Sequence, residues 1–144
     1  VKKYQILSVF TCDKSSGVID CNTLVYRNIF SVNSFPKEID FLVGATIATP
    51  ADYPFFNIKF DFFDEKDQAL TQEVHDLEPI AIEVLTNENN ISVTTIIFHP
   101  EHHIISKPGI LKIEATLGQA KNINAILDKK STMVIVSKTW RGKL

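Results

Sequence analysis

The chain has 144 residues, 44% hydrophobic and 22% charged, an ordinary globular composition with enough length to bury a core without disulfide or metal staples. Its net charge of −2 supplies no general attraction for nucleic acid or an anionic membrane, so neither is expected as a partner. No apolar stretch approaches the roughly 20 residues that a spanning helix needs, and the opening VKKY does not read as a targeting leader, so a cytoplasmic location is expected.

Ten Phe residues with abundant Ile and Val favour β structure, because branched and aromatic side chains suit a pleated, half-buried surface. Tyr4–Thr11 reads as a first strand in which Ser8 interrupts the alternation, followed by the turn cluster 13–17. Thr23–Val32 reads as a second strand with apolar residues on both faces, which predicts a central position or a twist between two layers. Ile39–Thr49 is a third, with Ile39, Phe41, Val43 and Ile47 alternating; Gly44 inside it signals a bulge or a close backbone approach.

In Tyr53–Leu70, Ile58, Phe60 and Phe62 share one face and Asn57, Lys59 and Asp61 the other. The run Asp64-Glu65-Lys66-Asp67 then predicts an exposed reversal, Leu70–His75 continues a hairpin, and most other apolar segments read as partners of this Phe-rich strand. Pro79 sets a boundary before Ile80–Leu85, and Ile91–Phe98 is a strand dominated by Thr, Val and Ile. A loop, His99–Pro108, precedes the alternating Gly109–Leu117, and Gly118-Gln119 marks a turn. Ala120–Lys130 fits a short helical stripe (Ile123, Ile126, Leu127) or an alternating strand (Ile123, Ala125, Leu127); Thr132–Val136 is a last strand. About eight closely spaced strands predict a single all-β domain over residues 1–144, an antiparallel β-sandwich, with a β-barrel as the alternative.

Several stretches together resemble a family of small, functionally uncharacterised bacterial β-sandwich proteins. They are Cys12-Asp13 at the end of the first strand, Leu24–Phe30, the Ser34-Phe35-Pro36 step, the strand Ile39–Ile47, the strand ending near Asp64, and Gly109–Ala115. The chain departs from that pattern at Arg27-Asn28-Ile29-Phe30, where the family places a Gly shortly before the aromatic residue. The resemblance implies the fold and carries no catalytic residues with it.

His99-Pro100-Glu101-His102-His103 is the densest group of metal-binding side chains, and His99, Glu101 and His103 are the candidate ligands for Zn²⁺ or a similar divalent ion, with the distant His75 as a further donor. The spacing lacks the i, i+4 histidine pair of a helical metalloprotease site, so a plain polar loop is the competing reading and no cofactor is the default. Cys12 and Cys21 flank a turn; two reduced thiols are expected, with a disulfide as the alternative. Asp61, Asp64, Glu65 and Asp67 do not match a calcium loop and read as a solvated turn. The C-terminal Lys129, Lys130, Lys138, Arg141 and Lys143 read as solvated surface.

No phosphate-cradling Gly-rich loop, G-x-S-x-G elbow or CxxC pair is present. Tyr53, Phe55 and Phe56 around Pro54, and Trp140 near the terminus, are candidates for a partner- or sugar-binding surface; capping of the core is the competing reading. These features predict a non-enzymatic binding or assembly module that meets a protein partner or itself as a homo-oligomer, the motive being the long apolar Ile91–Phe98 strand whose edges need cover. The alternatives are a metal-dependent enzyme built on the His99–His103 loop and a carbohydrate-binding sandwich built on Tyr53, Phe55 and Phe56.

Overall fold

Period-2 alternation is what the chain folds by. In Gly109–Gln119, Leu111, Ile113, Ala115 and Leu117 are buried while Lys112 and Glu114 point away from them; in Leu42–Pro50, Val43, Ala45 and Ile47 lie inside. The computed structural model describes residues 3–13, 26–70, 79–86, 89–100 and 103–139. Its strands are β1 (Gln5–Cys12), β2 (Ile29–Val32), β3 (Lys37–Glu38), β4 (Leu42–Pro50), β5 (Phe56–Phe63), β6 (Pro79–Thr86), β7 (Ile91–Phe98), β8 (Ile104–Ile105), β9 (Gly109–Gln119) and β10 (Asn122–Lys138). Among the described residues there is no helix, and hence none long and apolar enough to cross a membrane.

The strands form a four-stranded first sheet in the order β1-β4-β7-β6, a four-stranded second sheet in the order β2-β10-β9-β5, and a two-stranded ribbon, β3-β8. Neither large sheet closes on itself, so the fold is a β-sandwich and not a barrel. Ile6, Val9, Val43, Ile47, Ile96 and Phe98 of the first sheet meet Phe30, Phe60, Phe62, Leu111, Leu117 and Val134 of the second in one apolar core. Each such side chain, fully withdrawn from water, contributes about 1.5–3 kcal/mol before the entropy of ordering it is counted. Phe60 and Phe98 meet edge to face at 5.0 Å across the core, and Phe30 stacks on Phe41 at 4.4 Å.

Three expectations change, and one open alternative is resolved. The Phe-rich β5 is an edge strand that pairs in its ladder with β9 alone, so it is not the hub of the fold. β7 is interior, with β4 on one side and β6 on the other, so its edges need no second subunit. β2 is a four-residue edge strand, not a central one, and it lies parallel to the end of β10 (Ile29 opposite Ile135), which makes the second sheet mixed. Asn122–Lys138 is one long strand, so the ambiguous segment is β from Asn122 onward, after a turn at Ala120 and Lys121: β9 offers it an open edge, whereas the helical stripe had only three apolar residues to bury.

Two local readings gain a physical form. The break at Ser8 is a β-bulge between Ile6 and Ser8, which leaves Leu7 exposed between the buried Ile6 and Val9. Gly44 is a close approach: the Phe10 ring from the paired position on β1 lies where a Cβ at Gly44 would stand. The acidic run is a turn as expected, closed by the Asp64 N–H donating to the Gln68 carbonyl at 2.9 Å; of the second hairpin strand, Ala69 and Leu70 face Phe63 and Phe62, and residues 71–75 lie outside the described ones.

The far side of β1 is met by β10 through side chains. Asp128 accepts from the Ile6 N–H at 2.8 Å, and the Lys130 ammonium donates to the Leu7 carbonyl at 3.1 Å. These contacts close one side of the sandwich without a main-chain ladder.

Candidate functional site

The histidine loop is drawn onto the core by the β3-β8 ribbon. Ile39 donates its N–H to the His103 carbonyl at 2.9 Å, and the His103 imidazole, 7% exposed, packs 4.4 Å from the Phe62 ring. His99 is half-buried at the end of β7. Glu101, His102 and His75 lie outside the described residues, and among those described no three His, Cys, Asp or Glu side chains gather where they could hold a metal. Cys12 is fully buried beside Leu42 and Ile97, and Cys21 lies outside the described residues.

The acidic turn uses its carboxylates on the protein itself. Asp64 Oδ1 accepts from the N–H groups of Lys66 (2.8 Å) and Gln68 (2.9 Å). Its pKa is lowered from the usual carboxylate range, first by the Gln68 N–H, against some desolvation, and further by the Lys66 N–H and the Lys107 and Lys66 ammonium groups. Glu65 Oε1 accepts from the Ile110 N–H at 2.8 Å, in the space that a side chain at Gly109 would occupy. Asp67 pairs with Lys112 at 3.1 Å, and the same ammonium sits 5.0 Å over the Phe63 ring.

Of the candidate aromatic residues, Tyr53 and Phe55 stay together on the surface, 47% and 59% exposed, with their rings edge to face at 5.1 Å. Phe56 begins β5 and packs against the core, and Trp140 lies outside the described residues. The Tyr4 hydroxyl donates to the Tyr53 carbonyl at 2.9 Å. Its phenol pKa is raised by desolvation first and then by the neighbouring Tyr53 and Asp52, so the group remains a donor. Beside Tyr53 an open concavity of about 1240 Å³ runs over the outer face of the first sheet, with Gln5, Leu7, Asn90, Ile91 and Val93 in its lining. Sequence reading found Tyr53 but not these others, which come from separate segments and share no local pattern.

A second surface lies on the outer face of the second sheet. Ile29, Ile135 and Ile110 stand side by side on β2, β10 and β9, since Ile135 is register partner to both of the others. They are 54%, 45% and 47% exposed. Met133, two residues along β10, extends the row toward Lys112 and Phe63. Farther along, the face becomes charged but internally matched, with Lys59 near Asp61 at 3.5 Å and Lys129 near Glu114 at 3.8 Å. The signal for this row was present in Met133-Val134-Ile135-Val136, a run with no polar residue to mark a wet face.

Compared with protein-family models, with curated proteins and with solved structures, the chain finds no match in any of the three.

Proposed function

We propose that this protein is a non-enzymatic binding module that self-associates through the outer face of its second sheet. The observation that carries the reading is the exposed row Ile29–Ile135–Ile110 with Met133 beside it. Water-facing positions of a sheet are ordinarily polar, and a contiguous apolar row on a flat face gains from being covered. Strand edges no longer motivate the association, because β7 is interior; the open face does. A second copy suits this face in particular. Two such sheets pack face to face at about 10 Å, burying like against like, and a two-fold arrangement brings both apolar ends together. The matched Lys59–Asp61 and Lys129–Glu114 pairs present no block of one charge to repel an identical surface.

Sedimentation velocity over a concentration series tests this. The expected result is a concentration-dependent dimer for the wild-type chain and a monomer for Ile135→Glu, with the β-sheet circular dichroism of the two unchanged. A wild-type monomer at every concentration, or an Ile135→Glu chain that still dimerises, would overturn it.

A further inference from the structure

We propose that the concavity on the outer face of the first sheet, on the opposite side of the sandwich, is a binding groove for a neutral carbohydrate chain. The apolar part of its lining is made by Leu7, Ile91 and Val93, with the Tyr53 ring beside them and Phe55 set edge-on against that ring. Aliphatic and aromatic surface of this kind complements the C–H faces of a pyranose. Around it stand Gln5, Asn90 and Asp52, which accept hydrogen bonds and, through the two amides, donate them. Sugar hydroxyls need both.

Charge argues for a neutral ligand. Among the described lining residues Lys3 and Asp52 are the charged pair, one of each sign, so these residues give the groove no net attraction for a polyanion or a polycation. Its volume of about 1240 Å³ exceeds the roughly 300–1,000 Å³ of an enclosed small-molecule pocket and leaves room for an extended polymer. An extended peptide fits less well. The floor is the side-chain face of β1, β4 and β7, whose main-chain groups are engaged in pairing with one another, so the floor offers a peptide no ladder to extend.

The rim is built to keep its shape. Ala51 donates its N–H to the Asn90 carbonyl at 2.8 Å, tying the β4–β5 connection to the turn before β7. Tyr53 donates its N–H to the Pro50 carbonyl at 3.3 Å, and the Tyr4 hydroxyl holds the Tyr53 carbonyl from the other side. Asn90 adopts φ of 59°, a left-handed turn conformation that Asn tolerates better than most residues. A groove fixed in this way spends little binding energy on ordering itself. The β-bulge in β1 contributes as well, since the extra residue is what leaves Leu7 exposed here.

Affinity electrophoresis of the full chain through gels containing soluble derivatives of cellulose, starch, mannan or xylan tests the proposal, with alginate as the charged comparison. Calorimetry with oligosaccharides of the retarding polymer then gives the affinity. At least one neutral polymer is expected to retard the chain. Tyr53→Ala is expected to weaken binding about tenfold or more, and Asp52→Asn and Asn90→Gly to weaken it less. Tyr53 is exposed and outside the core, and a urea midpoint near that of the wild type verifies that the Tyr53→Ala chain is folded. Ile135→Glu, on the other face, is expected to leave the per-site affinity unchanged whether or not the chain dimerises, so failure of one proposal does not pass to the other. Retardation by no neutral polymer, preference for alginate, or full retardation of the Tyr53→Ala chain would each overturn the proposal.

Discussion

Two patches, one on the outer face of each sheet, treat their apolar side chains in opposite ways. On the first sheet, around β1 and β4, Phe10 folds down over Gly44, touches the Tyr26 ring edge to face at 5.1 Å, and shields Leu42, Ile97 and Cys12 until they are buried. On the second sheet, Ile29, Ile135 and Ile110 stand abreast and exposed. The difference comes from one missing side chain and one large one. Gly44 leaves a trough and Phe10 can reach across it; three β-branched residues in a row leave no trough, and each is too short to cover its neighbour. An outward apolar residue is therefore a self-covered patch or an open one according to what stands next to it.

The sharpest break of this comparison is a pair of truncations. Ile97→Ala, in the covered cluster, is expected to cost about 2–5 kcal/mol, whereas Ile135→Ala, in the open row, should stay within about 0.5 kcal/mol when urea unfolding is measured on dilute, monomeric protein. Equal costs would mean that the two patches are equivalent after all. Next in size, Gly44→Val is expected to destabilise by about 1–3 kcal/mol, because its side chain takes the place of the Phe10 ring. Adding Phe10→Ala should recover part of that loss, and strictly additive effects in the double-mutant cycle would remove the ring-on-glycine account.

Gly109→Ala is expected to cost about 1 kcal/mol, since the new methyl group displaces the Glu65 carboxylate from the Ile110 N–H at a residue with φ of 153°. Double-mutant coupling to Glu65→Ala checks that route. The smallest effect belongs to Asp64. Its pKa is lowered in the folded state, so its contribution is fully present above the unfolded value near 3.9 and is lost as pH falls through the folded one. The urea midpoint of the wild type should fall more steeply than that of Asp64→Ala below about pH 4. Parallel curves would mean that the turn does not depend on this carboxylate.

Much of the fold was legible because alternation reports burial directly. Phe60 and Phe62, Val43 and Ile47, and Leu111 and Leu117 all lie inside, as their spacing requires. Strand neighbours were not legible. Nothing in Phe56–Phe63 says that it ends a sheet, nor in Ile29–Val32 that it runs parallel to a strand about a hundred residues later, because pairing partners are chosen by long-range packing and not by local pattern. The same holds for the surfaces. Tyr53 and Phe55 stood out beside Pro54, yet Leu7 and Asn90 join them only because a bulge and a turn bring distant segments to one rim. The surroundings of His103 were no more legible: a two-residue ribbon sets its ring against Phe62, and local pattern does not show that pairing.

β10 has a consequence for how the chain folds. It pairs with β9 of the second sheet along its length, and its earlier half also reaches β1 of the first through Asp128 and Lys130, partners separated from Ile6 and Leu7 by 122 and 123 positions. A clasp between residues so far apart closes late, after the intervening strands have brought its halves into range, so folding is expected to be slow for a chain of this size. Once closed, it couples the sheets. Amide hydrogens of β4 and β9, in different layers, should then exchange through the same global opening, and Asp128→Ala should let the first sheet open ahead of the second.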